Sequence, residues 1–294
     1  SSDKKKNQNA YLPKTIKELE KWYTKNPKGT LVGGATDVGL WVTKNLRDLK
    51  EICFIGQIEE MSKINISRKV LNVGASTTIE VLRQELQKKY PDFSELLRRY
   101  GSMQVRNAAT LGGNIANGSP IGDSPPALIA IGASILLNRN GKHRKIPIED
   151  FFIRYGQQDL HAGEFIESIE IPLSEKNLKC YKISKRFDQD ISAICGCFNI
   201  TLEKNKVKTA RIAFGGMAEI PKRATSVENF LLGSTWSEET ISSAMALFDK
   251  DFNPISDLRA TSEYRKITAK NLLKKYYIET NAVEKNTNVL KIMS

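Results

Sequence analysis

A chain of 294 residues that is 40% hydrophobic and 27% charged, with a mean hydropathy of −0.37, has apolar surface enough for two modest cores, which excludes an intrinsically disordered protein. No apolar run approaches the roughly 20 residues of a membrane helix, and the opening SSDKKKNQNA lacks the apolar stretch of a secretory signal, so the expected location is cytoplasmic. The excess of 45 Lys and Arg over 33 Asp and Glu gives +12; these cations are dispersed and carry no nucleic-acid-binding motif, so they read as a basic surface suited to an anionic cofactor or an acidic partner, with no nucleic acid and no membrane among the partners.

Residues 13–25 read as a first helix, with Pro13 at N1 and Ile16, Leu19, Trp22 and Tyr23 on one face. Asn26-Pro27-Lys28-Gly29 stops it, and Thr30-Leu31-Val32 is a short strand running into Gly33-Gly34. Further strands are expected at 52–55 and 70–73, the latter ending in Gly74. Thr77 or Thr78 caps a helix whose apolar face carries Ile79, Leu82 and Leu86, and Pro91 closes it. From Tyr100 to Pro126, Gly, Asn, Ser and Pro dominate, but Val105, Leu111, Ile115 and Ile121 interrupt them, which predicts an ordered, packed loop. Strands follow at 134–138 and 169–171, with Pro172 as a stop.

Beyond about residue 176 the pattern changes. Phe198, Ile200 and Leu202 alternate inward, 203–206 is a turn, and Ala210, Ile212 and Phe214 alternate back, as in an antiparallel hairpin. Thr235-Trp236-Ser237-Glu238 fits a capping box opening a helix with Ile241, Met245 and Phe248. A last helix carries Tyr264, Thr268 and Leu272, and the tail at 281–294 reads as frayed. The boundary falls near 175, dividing the chain into units at 10–175 and 176–280, both α+β.

Cys53, Cys180, Cys195 and Cys197 form no Cys-x-x-Cys pair, and Cys195-Gly196-Cys197 is too close for an easy strand-internal disulfide, so all four read as thiols. With His143 and His161 the only histidines, and no His-Glu-x-x-His or Gly-x-Ser-x-Gly, neither a protein-bound metal nor a hydrolase is expected.

The chemistry concentrates in two glycine segments: Leu31-Val32-Gly33-Gly34-Ala35-Thr36-Asp37-Val38-Gly39, and residues 107–123 around Gly112-Gly113-Asn114. Neither is a Rossmann fingerprint or a phosphate loop with its lysine. Consecutive glycines permit φ > 0 and bring backbone N–H groups to one concavity, so a matched pair is expected to grip a diphosphate from both sides. Thr36, Thr110 and Ser119 add hydroxyls, while Asn114 and Asp123 suit an amide-rich ring edge.

At this spacing the two segments resemble the FAD-binding domain of the xanthine dehydrogenase and carbon monoxide dehydrogenase medium-subunit family, a PCMH-type branch of the vanillyl-alcohol-oxidase flavin fold. Glu95 through Asn107, Asp37 through Lys44 and Glu149-Asp150-Phe151-Phe152 continue the resemblance, and 176–280 resembles the family's smaller CO-dehydrogenase-flavoprotein C-terminal domain. Position by position, the resemblance implies that Leu31, Val32, Gly33, Gly34, Ala35, Thr36, Asp37 and Val38 wrap the FAD pyrophosphate, and that Tyr100 stacks on or near the adenine. It implies that Ala109, Thr110, Gly113 and Asn114 line the pyrophosphate and ribityl chain, that Asp123 bonds a polar edge, and that Ile166 and Lys182 approach from the strand and the domain junction. A cation such as Lys182 near the flavin N1/C2 side favours the anionic reduced ring.

The activity so implied is that of the flavin module of a xanthine dehydrogenase, with no catalytic residue of its own. Electrons from purine hydroxylation at a molybdenum cofactor pass through iron–sulfur clusters to FAD and leave as a hydride to NAD+. A flavin subunit for an aldehyde, CO or aromatic acyl-CoA substrate is the alternative. The cysteines of a [2Fe–2S] domain are absent from this sequence, so the [2Fe–2S] and molybdopterin centres are expected on a missing part of a longer protein or on partner chains of a hetero-oligomer.

Overall fold

Thr15, not Pro13, starts the first helix of the computed structural model, which describes residues 10–173, 177–281 and 287. Extended at φ −133°, Thr15 accepts the Glu18 N–H on its hydroxyl and so caps α1 (Ile16–Lys25). Leu19 is fully buried beneath this helix, and Trp22 stacks between Tyr11 and Tyr23. Strands β1 (Ala10–Tyr11) and β2 (Thr30–Val32) flank β3 (Ile52–Phe54) in a parallel three-stranded sheet, and α2 (Val38–Thr43) crosses between β2 and β3.

The next sheet is antiparallel, in the order β4 (Ile64–Ser67), β5 (Val70–Gly74), β10 (Phe165–Pro172), β6 (Ser134–Arg139), β7 (Lys142–Pro147). Between β7 and β10 lies a small hairpin of β8 (Phe152–Arg154) and β9 (Gln157–Gln158). Leu71, Val73, Ile135, Leu137, Ile169 and Ile171 are fully buried under α3 (Ile79–Leu86) and the helices after it. Thr78 is the cap of α3, and its three expected apolar residues are all inward. Pro91 does not close that helix; it opens α4 (Pro91–Arg98), where a proline without an N–H fits the first turn. The expected loop of 100–126 is mostly helical: α5 (Met103–Ala108) and α6 (Leu111–Ala116) are capped by Ser102 and Thr110, and α7 (Ser124–Ile131) is buried along its whole length.

The second half is a sheet ordered β11 (Lys179–Ile183), β12 (Ile194–Glu203), β13 (Lys206–Gly215), β14 (Lys222–Arg223). Helices α8 (Thr225–Leu231), α9 (Glu238–Met245), α10 (Phe248–Asp251) and α11 (Ser262–Asn281) complete it. Phe198, Phe214, Phe248, Trp236 and Tyr276 form an aromatic core in which Phe214 meets Phe198 and Phe248 edge to face. Leu202 departs from the expected inward row and is exposed, because the register shifts between Thr201 and Leu202. Ser237 caps α9, displacing the expected box at Thr235, and Phe248 belongs to the separate α10. The stripe of α11 that packs inward is Arg265, Ala269, Leu272, Leu273 and Tyr276, so Tyr264 faces out. The tail beyond 281, like Lys4-Lys5-Lys6, lies outside the described residues, Thr287 excepted.

Helix α7 joins the halves. The opposite face of β12 and β13, bearing Cys195, Cys197 and Ala213, belongs to the first core. Asn199 and Arg211 donate to the carbonyls of Ala130 and Ile129 at 3.2 and 2.9 Å. All four cysteines are free thiols, and burial pushes Cys53, Cys180 and Cys197 upward, so they pack as inert apolar groups. The run Lys142–Lys145 is the solvent edge β7. There Arg144 pairs with Asp159 and Glu164, Lys145 with Glu170, and His143 with Glu167. Among the described residues no helix is long and apolar enough to cross a membrane.

One ion pair sets the path of the chain into the site. Glu80 on α3 accepts from Arg83 and, at 2.8 Å, from Arg106 on α5, whose guanidinium also donates to the carbonyls of Arg98 and Gly101. These arginines hold the Glu80 carboxyl at about 2. A depressed carboxylate stabilises the fold above its ordinary range and loses that contribution as pH falls through the folded value. Glu80→Gln is therefore expected to lower the thermal unfolding midpoint at pH 7, by a deficit that shrinks from about pH 4.5 and vanishes near about pH 2; circular dichroism melts across that range check it.

Candidate flavin site

Where β2 ends, the chain turns over the backbone of α5 and α6. A Cβ on Gly34 would lie 1.7 Å from the Ala108 carbonyl oxygen, and one on Gly33 would lie 2.7 Å from Thr110 Oγ1. No real Cβ approaches that closely, so both glycines exist here for contact between the two segments. Neither takes the positive φ expected of it; that falls on Ala35, at φ 58°. The left-handed residue turns the loop out of β2 and into α2.

The second pair is not a loop but the first turn of α6. Thr110 accepts the Gly113 N–H at 3.1 Å, the Gly112 N–H donates to Ala75 O at 2.8 Å, and Leu111 N–H donates to Thr77 O at 2.9 Å. A Cβ on Gly112 would meet Ala75 at 2.6 Å. These amides are thus engaged within the fold, which corrects the expectation of two symmetric anion nests. On the first segment the backbone N–H groups of Ala35, Thr36, Asp37 and Val38 have no hydrogen-bond partner among the described residues.

Between the segments lies a cleft of about 140 Å³. Of the residues expected at the site, Leu31, Gly33, Gly34, Ala35, Thr36, Asp37, Val38, Tyr100, Ala109, Thr110, Gly113 and Asn114 line it. Val32 does not: strand alternation turns it into the core, 2% exposed. Ile166 is buried in β10 opposite Leu137. Asp123 and Lys182 stand off the cleft wall, paired with each other at 2.5 Å. Trp41, Ala116 and Asn117, outside the set the sequence assigns to the site, also line the cleft. Trp41 stands four residues after Asp37, one turn along α2, a helical spacing that would have pointed to it.

Tyr100 accepts the Asn114 side-chain amide at 3.2 Å. Burial, then the charges of Asp37 and Asp123, push its phenol to about 12, so it stays protonated at neutral pH. Burial alone raises the Asp37 carboxyl. Arg99, next to Tyr100, reaches into the second half, donating to Lys182 O at 3.0 Å and Phe187 O at 2.9 Å with its guanidinium 4.8 Å over the Phe187 ring. The Trp41 side of the cleft opens into a second cavity of about 460 Å³ between α2 and the β8–β9 hairpin, where Arg47 lies 5.2 Å over the Trp41 ring.

Residues 5–174 match the FAD binding domain in molybdopterin dehydrogenase, and residues 179–280 match the CO dehydrogenase flavoprotein C-terminal domain. The chain belongs to this flavoprotein family. The glyceraldehyde dehydrogenase medium chain of Sulfolobus acidocaldarius is 30% identical over 76% of this chain and 81% of its own. Nicotinate hydroxylase hnxS of Emericella nidulans and xanthine dehydrogenase 1 of Arabidopsis thaliana are each 29% identical, over 92% and 82% of this chain. This chain spans only 22% and 19% of the length of those two proteins. The carbon monoxide dehydrogenase of Hydrogenophaga pseudoflava superposes with a TM-score of 0.84 at 24% identity, over 91% of this chain and 94% of that one, so the fold is shared.

The closest backbone approach gives a direct test. Gly34→Ala would force the two segments apart and is expected to cost about 1–3 kcal/mol, the range for overpacking, whereas Gly39→Ala, within α2 and with its Cβ meeting nothing within 4 Å, is expected to hold or raise the unfolding midpoint, since alanine favours a helix over glycine. Thermal melts of both variants decide it.

Proposed function

We propose that this chain is the flavin module of a xanthine dehydrogenase, holding FAD in the cleft between the glycine segments and serving NAD+ as acceptor. Two units at 10–175 and 176–280 divide the work, the first gripping the cofactor and the second closing on its ring. The observation that carries this reading is the bare run of amides at Ala35–Val38 facing a wall made close by Gly33 and Gly34. Free amides beside a backbone contact that admits no side chain form a cradle for a diphosphate. The residues thus fit the cofactor of the family.

FAD, when bound, takes up electrons and passes a hydride to a nicotinamide. The chain's own residues bind and orient it. Ala35, Thr36, Asp37 and Val38 donate to the diphosphate, Ala109, Thr110, Gly113 and Asn114 line its other side, and the protonated Tyr100 gives an aromatic wall. Asp123, Ile166 and Lys182 belong to the ring end, where the first half meets β11. The 460 Å³ cavity beside the cleft, with Arg47, Trp41 and Tyr155 on its walls and no carboxylate there among the described residues, suits an anionic nucleotide acceptor. Substrate hydroxylation and the iron–sulfur relay belong to a molybdopterin-binding large subunit and an iron–sulfur domain or subunit in a cytoplasmic hetero-oligomer. Aldehyde is the second reading for the substrate, favoured by the medium chain of similar length that covers most of this one.

Purified protein titrated with FAD is expected to form a yellow one-to-one complex; folded protein without bound flavin overturns the reading. Gly113→Val, which narrows the wall beside Thr110, is expected to weaken FAD at least about tenfold, some 1.4 kcal/mol, without unfolding the chain. Anaerobic NADH is expected to bleach the bound flavin, and an unreactive flavin assigns another acceptor.

A further inference from the structure

The carboxylate of Asp123 is held at both oxygens. Ser192 Oγ donates to Oδ1 and Lys182 Nζ to Oδ2, each at 2.5 Å. All three groups are buried: Ser192 is 1% exposed and the Lys182 side chain 2%. Lys182 lies near the end of β11 and Ser192 just before β12, so a carboxylate from the first half clasps both ends of the connection between two strands of the second. Arg99 fixes the Lys182 carbonyl from the other side. The remaining two N–H donors of the Lys182 ammonium have no partner among the described residues, and a buried cation so poorly satisfied points to a ligand.

The residue next to Asp123 reaches the cleft. One residue along, the Ser124 hydroxyl donates to Asn114 Oδ1, and Asn114 Nδ2 donates to Tyr100 on the cleft wall. The charge of Asp123 is felt there, since it helps to raise the Tyr100 phenol.

We infer that Ser192 is a positioning residue for the flavin, setting through Asp123 how much of the Lys182 positive charge acts on the bound ring. The inference rests on the FAD reading above. With the Ser192 hydroxyl present, the carboxylate charge is shared between two donors and Lys182 is held by one oxygen. Without it, Oδ1 is a buried acceptor lacking its donor, and the ammonium is drawn onto both oxygens. Less positive potential then reaches the cofactor, and the reduced, anionic ring loses support.

The test uses the full chain reconstituted with FAD, comparing wild type, Ser192→Ala, Ser192→Cys and Ser192→Thr. Each is scored for FAD dissociation by flavin fluorescence, for the reduced-to-oxidised ratio against a redox dye of fixed potential, and for its unfolding midpoint. Ser192→Ala is expected to lower the ratio roughly three- to tenfold, tenfold corresponding to about 30 mV for two electrons. Ser192→Thr, which keeps the hydroxyl, is expected to restore it, and Ser192→Cys, a weak donor, to fall between. A wild-type ratio in flavin-loaded Ser192→Ala, or in Ser192→Cys if the alanine variant does not fold, overturns the inference and leaves FAD binding intact. A lowered ratio that Ser192→Thr does not restore also overturns it. Folded wild type that takes up no FAD overturns both.

Discussion

The contact between Gly34 and the carbonyl of Ala108 is the constraint on which the rest depends. It joins two stretches more than seventy residues apart in the chain, and no side chain fits between them. Everything nearby is arranged to permit it. Strand β2 delivers the first glycine pair at the right height, and Ala35 turns the chain away in a left-handed conformation. Arg106, anchored by Glu80, holds α5 so that its last carbonyl faces the loop. The cleft is therefore built by main chain pressed on main chain, which leaves the amides of 35–38 without partners inside the fold.

Beyond the apolar packing of α7 on β12 and β13, polar contacts join the halves of the molecule, several of them at the ends of α4 and α7. Arg99 extends from the end of α4 to the segment after β11, while Asp123 precedes α7 and takes Lys182 and Ser192. Buried ion pairs of this kind are costly unless each charge is matched in geometry, so they fix relative placement more than they add stability. A cofactor lying along the cleft would sense the second half through them.

The sequence made legible whatever depended on periodicity or on a local cap. The inward rows of α3 and β13, and that of β12 as far as Ile200, follow from apolar spacing, and the pairing of the glycine segments follows from their composition. It was blind where one residue type serves two purposes. Pro91 reads equally as a stop or a start, and the structure uses it as a start. Glycines at 33–34 and 112–113 suggest left-handed backbone, yet they serve close packing, and an alanine takes the strained turn. Asp123 and Lys182 read in the sequence as separate cofactor groups, and only three-dimensional placement shows that they hold one another. Ser192 and Arg99 carry no local signal, because their partners lie 69 and 83 residues away.

Among the described residues, strand β7 closes one side of the largest sheet and pairs on only one of its two sides. A bare strand margin invites a neighbouring molecule to add its own strand and so to polymerise. Here that margin reads Lys-His-Arg-Lys, and its acidic partners come from within the same molecule. An incoming backbone would have to pass this polar, basic margin, where Arg144 and Lys145 are already committed to internal carboxylates. The chain thereby keeps its longest sheet from growing past its own last strand.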